Sequence, residues 1–149
     1  MIDKVEDIIK GLSSIGLPMM AKVFDESSLQ VQSIDLNQIQ LYDKGINADG
    51  LTLGEYSPVT IGYWKPLAAS EGRDGKTSNV TLKDTGEFYN SMKFEKDSQQ
   101  FWISGDVNKG GTNLMQIYGQ ILGLTTESLD YLHDEILERY QEKVYNTIA

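Results

Sequence analysis

The sequence contains no cysteine and a single histidine, His133. Disulfide bonds and thiolate metal ligands are therefore excluded, and a zinc site would have to draw most of its ligands from carboxylates, an uncommon choice. No metal or cofactor is expected. Nor is there a run of roughly 18 apolar residues, the length that crosses a bilayer, so no membrane partner is expected. The N-terminus, MIDKVEDIIKGLSSIG, mixes acids among its apolar residues, which does not suit a secretory signal. The chain is expected to stay in the cytoplasm where it is made. Positive charge is scarce: 13 Lys and Arg stand against 22 Asp and Glu, a formal charge of −9. Gripping nucleic acid requires clustered cations that neutralise phosphate, so such a surface would repel DNA rather than hold it. Acidity also supports solubility.

What is present suits one domain. A chain of 149 residues buries a core without staples, and neither a composition change nor an internal repeat divides 1–149. We read it as an α+β domain: a small, mostly antiparallel sheet with packed helices and a long C-terminal helix. In the N-terminal helical segment, 1–27, Val5, Ile8, Ile9 and Leu12 share one face, Asp3 and Glu6 approximate a capping box, and Pro18 opens a second short helix. Apolar Ile2, Val5 and Ile9 would suit a neighbouring subunit. SLQVQSI alternates from Leu29 to Ile34 and predicts a strand. DLNQIQLYDKG predicts a short helix capped by Asn37 or Asp35 and closed by Gly45. INADGLTLGEYSP is turn-rich, and VTIGYW predicts a strand that Gly62 weakens. KPLAASEGRDGKTSN, 65–79, reads as an exposed loop that orders against a partner. MKFEKDSQQFWISGDV is a hairpin turning at Asp97-Ser98-Gln99, with Phe94, Phe101 and Ile103 alternating and Trp102 on the opposite face, covering a second layer or another chain. The C-terminal helix, 125–148, carries Leu129, Leu132, Ile136, Leu137, Tyr140, Val144 and Ile148 on one face. Thr125 or Thr126 is available as its cap, and Glu135 and Arg139 are paired four apart.

One tripeptide raises an enzymatic question. Asp84-Thr85-Gly86 is the nucleophile-activating signature of aspartic proteases, which need two carboxylates sharing one proton. A chain with one copy could act only as a homodimer, and Ile121–Gly123 imitates the apolar-apolar-Gly element of those enzymes. The context opposes this reading. Lys83 stands where an apolar residue belongs, and Glu87 adds negative charge beside a dyad already subject to like-charge repulsion. A long terminal helix also departs from a nearly all-strand protease. A helix entrance explains the same letters: Asp84 or Thr85 as cap, Glu87 completing a capping box from Asp84, Gly86 turning the backbone, and Phe88 and Met92 facing inward. No catalytic residue is assigned.

The same stretch, LKDTGEFYNSMKF, resembles the Leu-x-x-Thr-Gly-x-(aromatic or Leu)-x-x-Ser-(apolar) signature of tailed-bacteriophage virion-morphogenesis proteins. These include tail-completion proteins and small head–tail connector or neck proteins. The matching positions are Leu82, Thr85, Gly86, Phe88, Ser91 and Met92. Upstream, NADGLTLGEYS is similar to the family's Gly-rich approach. Downstream, YGQILGLTTESLDYL is similar to its Tyr-x-x-(His)-x-x-Gly element, with QILGLT replacing the His-Gln-Phe-Gly ending of tail-completion proteins. The likeness spans roughly residues 37–132, and LYDKGINADG and ILGLT look like variants from phages of gut Bacteroidetes. The resemblance implies a non-enzymatic virion protein, assembled in the bacterial cytoplasm. It would form a cyclic homo-oligomer that contacts portal, neck and tail proteins while genomic DNA only passes through the lumen. Trp64, Arg73 and Trp102, with Ile2, Val5 and Ile9, are the expected subunit contacts. The alternatives are the dimeric protease using Asp84 and a generic adaptor or binding protein.

Overall fold

Buried side chains four residues apart shape the first half of the chain. The computed structural model describes residues 16–97 and 99–148, so the expectations for Ile2, Val5 and Ile9 lie outside the described residues. Helix α1, Leu17–Phe24, carries Pro18 in its first turn as expected. Helix α2, Ser27–Ile39, replaces the strand expected over Leu29–Ile34. Its buried positions are Leu29, Ser33 and Asn37, a helical spacing, whereas Val31 of the apparent alternation is exposed. The Ser33 hydroxyl donates to the Leu29 carbonyl (2.8 Å), which lets a polar residue sit on the inward face. Asn37 and Asp35 therefore lie inside a helix and cap nothing. The helix widens into a π turn at Gln40–Lys44 and stops at Gly45, left-handed at φ 61°. A Cβ there would lie 2.8 Å from the Asn79 amide nitrogen, so glycine answers both the backbone and its neighbour.

VTIGYW is also helical rather than extended. Ser57 accepts from the Thr60 N–H (3.2 Å) and Pro58 follows it, a cap and first-turn proline that start the segment 58–70. Pro66 supplies no N–H to the turn before it, and that turn, Thr60–Trp64, widens to π form before α3, Lys65–Ser70. The segment 65–79 is thus not one exposed loop. Lys65 and Ala68 are buried, and the part after α3 is pinned to its own chain by hydrogen bonds from Lys76 and Asn79 to the Tyr42 carbonyl.

Helix α4 is the single turn Glu87–Asn90. The hairpin forms as expected: β1, Lys93–Lys96, pairs antiparallel with β2, Phe101–Ser104, in a register opposing Phe94 to Ile103. Asp97 closes its turn by accepting the Gln99 and Gln100 N–H groups, and these bonds hold its carboxyl below the usual value. A second two-stranded ribbon, β3 (Asn108–Lys109) with β4 (Thr112–Asn113), leads into α5, Leu114–Tyr118. Helix α6, Thr126–Ile148, closes the fold, with Thr125 accepting the Ser128 N–H (3.3 Å). The architecture is α+β, with its strands in two small antiparallel sheets. The core gathers Phe24, Leu29, Leu41, Phe88, Met92, Ile103, Ile121 and Leu132, and Phe94 stacks on Phe101 at 5.0 Å. Of the α6 stripe, Leu132 is buried and Ile136 and Tyr140 pack on the core, but Leu129, Leu137 and Ile148 remain exposed. Among the described residues no helix is long and apolar enough to cross a membrane.

Candidate functional site

The Leu82–Met92 motif forms a strained corner. Leu82 has φ 59°, the one non-glycine residue with positive φ among the described residues. Such a conformation costs a residue with a Cβ roughly 1–2 kcal/mol. Asp84 does not cap α4. Its carboxylate accepts Arg73 at 2.8 Å and lies 3.5 Å from Lys109 on β3, while Gly86 occupies the cap position at φ 92° without a side-chain bond. Thr85 reaches only the Glu87 N–H, at 3.4 Å. Two cations thus outcompete the helix start for the Asp84 carboxylate, and no capping box forms. A proton-sharing pair of carboxylates at Asp84 would have to displace both. Phe88 and Met92 are buried as expected, and Ser91 holds the chain after the hairpin by accepting the Asp106 N–H at 2.8 Å.

What holds this corner is a buried ion pair that the sequence reading missed. Lys65 reaches Asp74 at 3.3 Å, with the two side chains only 9% and 7% exposed. Asp74 also accepts the Tyr42 hydroxyl (2.8 Å) and the Thr81 hydroxyl (3.1 Å), and the Lys65 ammonium lies 4.5 Å over the Tyr56 ring. Burial works to raise the Asp74 carboxyl, but the Tyr42 hydrogen bond and the Lys65 charge outweigh it and hold it below the usual carboxylate value. Tyr42 is pushed up by its bond to Asp74 and by burial. Burial also pushes Tyr89 up, and its hydroxyl donates to the Thr81 carbonyl. A cavity of about 280 Å³ opens beside this cluster, lined by Tyr56, Trp64, Lys65, Arg73, Lys83 and Asp84 among others.

A second missed arrangement is a set of three buried carboxamides that grip the backbone of 118–125. Asn37 donates to the Ile121 carbonyl (3.0 Å) and accepts the Gly123 N–H (2.8 Å). Gln40 donates to the Gly123 carbonyl (3.0 Å) and accepts the Thr125 N–H (2.9 Å). Asn47 donates to the Tyr118 carbonyl and accepts the Asp49 and Leu51 N–H groups, each at 3.0 Å. The amides of Asn37 and Gln40 each supply the donor and acceptor that a neighbouring strand would offer, while the Asn47 oxygen closes its own turn. The QILGLT stretch is thereby held rigidly without belonging to any sheet.

Among the described residues, segment 58–70 and the outer side of the hairpin present large apolar side chains to the surface. The helical segment 58–70 is inside out: Val59, Ile61, Tyr63, Trp64 and Leu67 face solvent while Lys65 points inward. Trp64 is 55% exposed and packs edge-on against Tyr63 at 4.9 Å. Trp102, 47% exposed, stands on the outer face of β2. It borders a groove of about 570 Å³ between the hairpin and α6, which also includes Met20, Phe101, Leu124, Leu129, His133 and Ile136. Of the expected contact residues, the structure places Trp64 and Trp102 on open surfaces, whereas the Arg73 guanidinium is tied to Asp84 and to Glu71 (2.6 Å). Comparison with protein-family models, curated proteins and solved structures finds no match for this chain.

Proposed function

We propose that this protein is a structural subunit of the head–tail junction of a tailed bacteriophage, a neck, connector or tail-completion protein. It assembles in the host cytoplasm as a ring that joins the portal to the tail and lines the DNA passage. The reading comes from the resemblance of Leu82–Met92 and its flanks to virion-morphogenesis proteins. The observation that carries its assembly is the inside-out helical segment 58–70. Exposing Tyr63 and Trp64 together on one helix is unfavourable in water, and contiguous apolar patches of this kind mark contact sites. A formal charge of −9 suits a lumen through which DNA slides, because like charge repels the phosphate backbone. The rigid corner around Lys65 and Asp74 would set the helix at a fixed angle, as a ring of definite size requires.

The test is the mass and shape of the purified protein, alone and mixed with portal and tail proteins, by light scattering and negative-stain imaging. Discrete rings are expected. A strict monomer under both conditions would falsify the reading.

A further inference from the structure

We infer that the apolar ridge of segment 58–70 docks, in the next copy of this chain, into the groove between the hairpin and α6. This rests on the ring reading and goes further by naming the two surfaces that meet. The first argument is charge. Residues 59–64 carry no charged side chain, and the residues lining the groove include no Asp, Glu, Lys or Arg, in a chain that is 23% charged. The larger groove between α2 and α6 contains Asp35 and Arg139, and a further one along α6 is lined mostly by charged residues, so neither offers such a match. Interface centres are depleted of charge and enriched in large aromatics, and both partners here meet that description.

Area supports a second copy as the occupant. Large aromatic side chains bury about 150–250 Å² each, so half-exposed Tyr63 and Trp64 with Val59, Ile61 and Leu67 offer roughly 400–500 Å². A standard interface takes about 800 Å² per partner. The ridge is thus the right size for the centre of one subunit contact, with polar surroundings completing it. Ridge and groove are built from different residues, so the contact is heterologous: each copy gives its ridge to one neighbour and its groove to the other. Such a contact closes into a ring when the rotation permits. A ridge-to-ridge dimer would leave both grooves uncovered.

The experiment uses two full-length variants, Trp64→Asp on the ridge and Leu129→Glu on the groove wall, both at exposed positions. Wild-type protein should scatter as an oligomer, and each variant alone as a single protomer with its melting temperature nearly unchanged. Mixed in equal amounts they should form a two-protomer species and stop, because only one intact ridge and one intact groove remain. If Trp64→Asp keeps the wild-type ring, or the mixture stays monomeric, this pairing of surfaces is wrong while the ring reading stands. A wild-type protein that stays monomeric on its own overturns the pairing, and it overturns the ring reading as well if it is still monomeric when mixed with portal and tail proteins. If Leu129→Glu lowers the melting temperature sharply without changing the mass, the groove is covered from within its own chain, and the pairing again fails.

Discussion

Leu82 carries the clearest single-residue consequence. Its left-handed backbone places the Asp84 carboxylate against Arg73 and Lys109, and its side chain packs on the core. Leu82→Ala loses the packing and keeps the strain, whereas Leu82→Gly loses the packing and relieves it. Glycine should therefore melt above alanine at this position by about 2–4 °C, for roughly 1 kcal/mol in a domain of this size; the opposite order would show that no strain is stored there. Asp74 gives the pH dependence. Its folded carboxyl lies below the unfolded value, about 3.9, so its stabilisation is present above that pH and is lost as pH falls through the lower folded value. Asp74→Asn leaves the Lys65 ammonium buried without its counter-ion, at a cost of about 3–5 kcal/mol near neutrality. Urea midpoints at pH 7 and pH 3 should show the gap to wild type narrowing on acidification. An equal gap at both would mean the ion pair contributes nothing.

At the scale of elements, α2 is more than a packing helix. Through Asn37 and the adjoining Gln40 it provides the pairing partner for the backbone of 121–125, which contributes Ile121, Leu122 and Leu124 to the core. Asn37→Leu is close in size but leaves the Ile121 carbonyl and Gly123 N–H bare, and each buried unpaired group costs about 1–3 kcal/mol. A drop of at least 2 kcal/mol in chemical denaturation is expected, with hydrogen exchange at Gly123 rising far more than at Leu132 on α6. A uniform rise would mean that the carboxamide holds nothing local. The hairpin and α6 were legible from their letters because turn chemistry and long helical periodicity act within a few residues. The first half of α2 was not, because Ser33 is polar yet buried and Val31 apolar yet exposed, which misleads a hydrophobic pattern; its second half falls within the helix expected over Asp35–Gly45. Segment 58–70 did carry a readable start in Ser57-Pro58, but its β-branched and aromatic residues favoured the strand reading.

For the whole molecule, the salt response separates apolar from ionic assembly. Subunits of formal charge −9 repel one another at low ionic strength, while a contact centred on Trp64 is insensitive to screening. Assembly should hold or strengthen from low salt to 1 M NaCl, and sulfate should favour it further. Dissociation as salt rises, followed by light scattering, would instead place ion pairs at the subunit contact.

The residues by themselves determined the α+β class, the stop at Gly45, the hairpin about Asp97 and the terminal helix, because each depends on forces that act between near neighbours. Only the tertiary structure decided what Asn37, Lys65, Asp74 and Asp84 do. Their partners lie beyond the reach of helix or strand periodicity, 9 residues away between Lys65 and Asp74 and 84 between Asn37 and Ile121. A buried polar group is tolerated only where folding delivers such a partner to it.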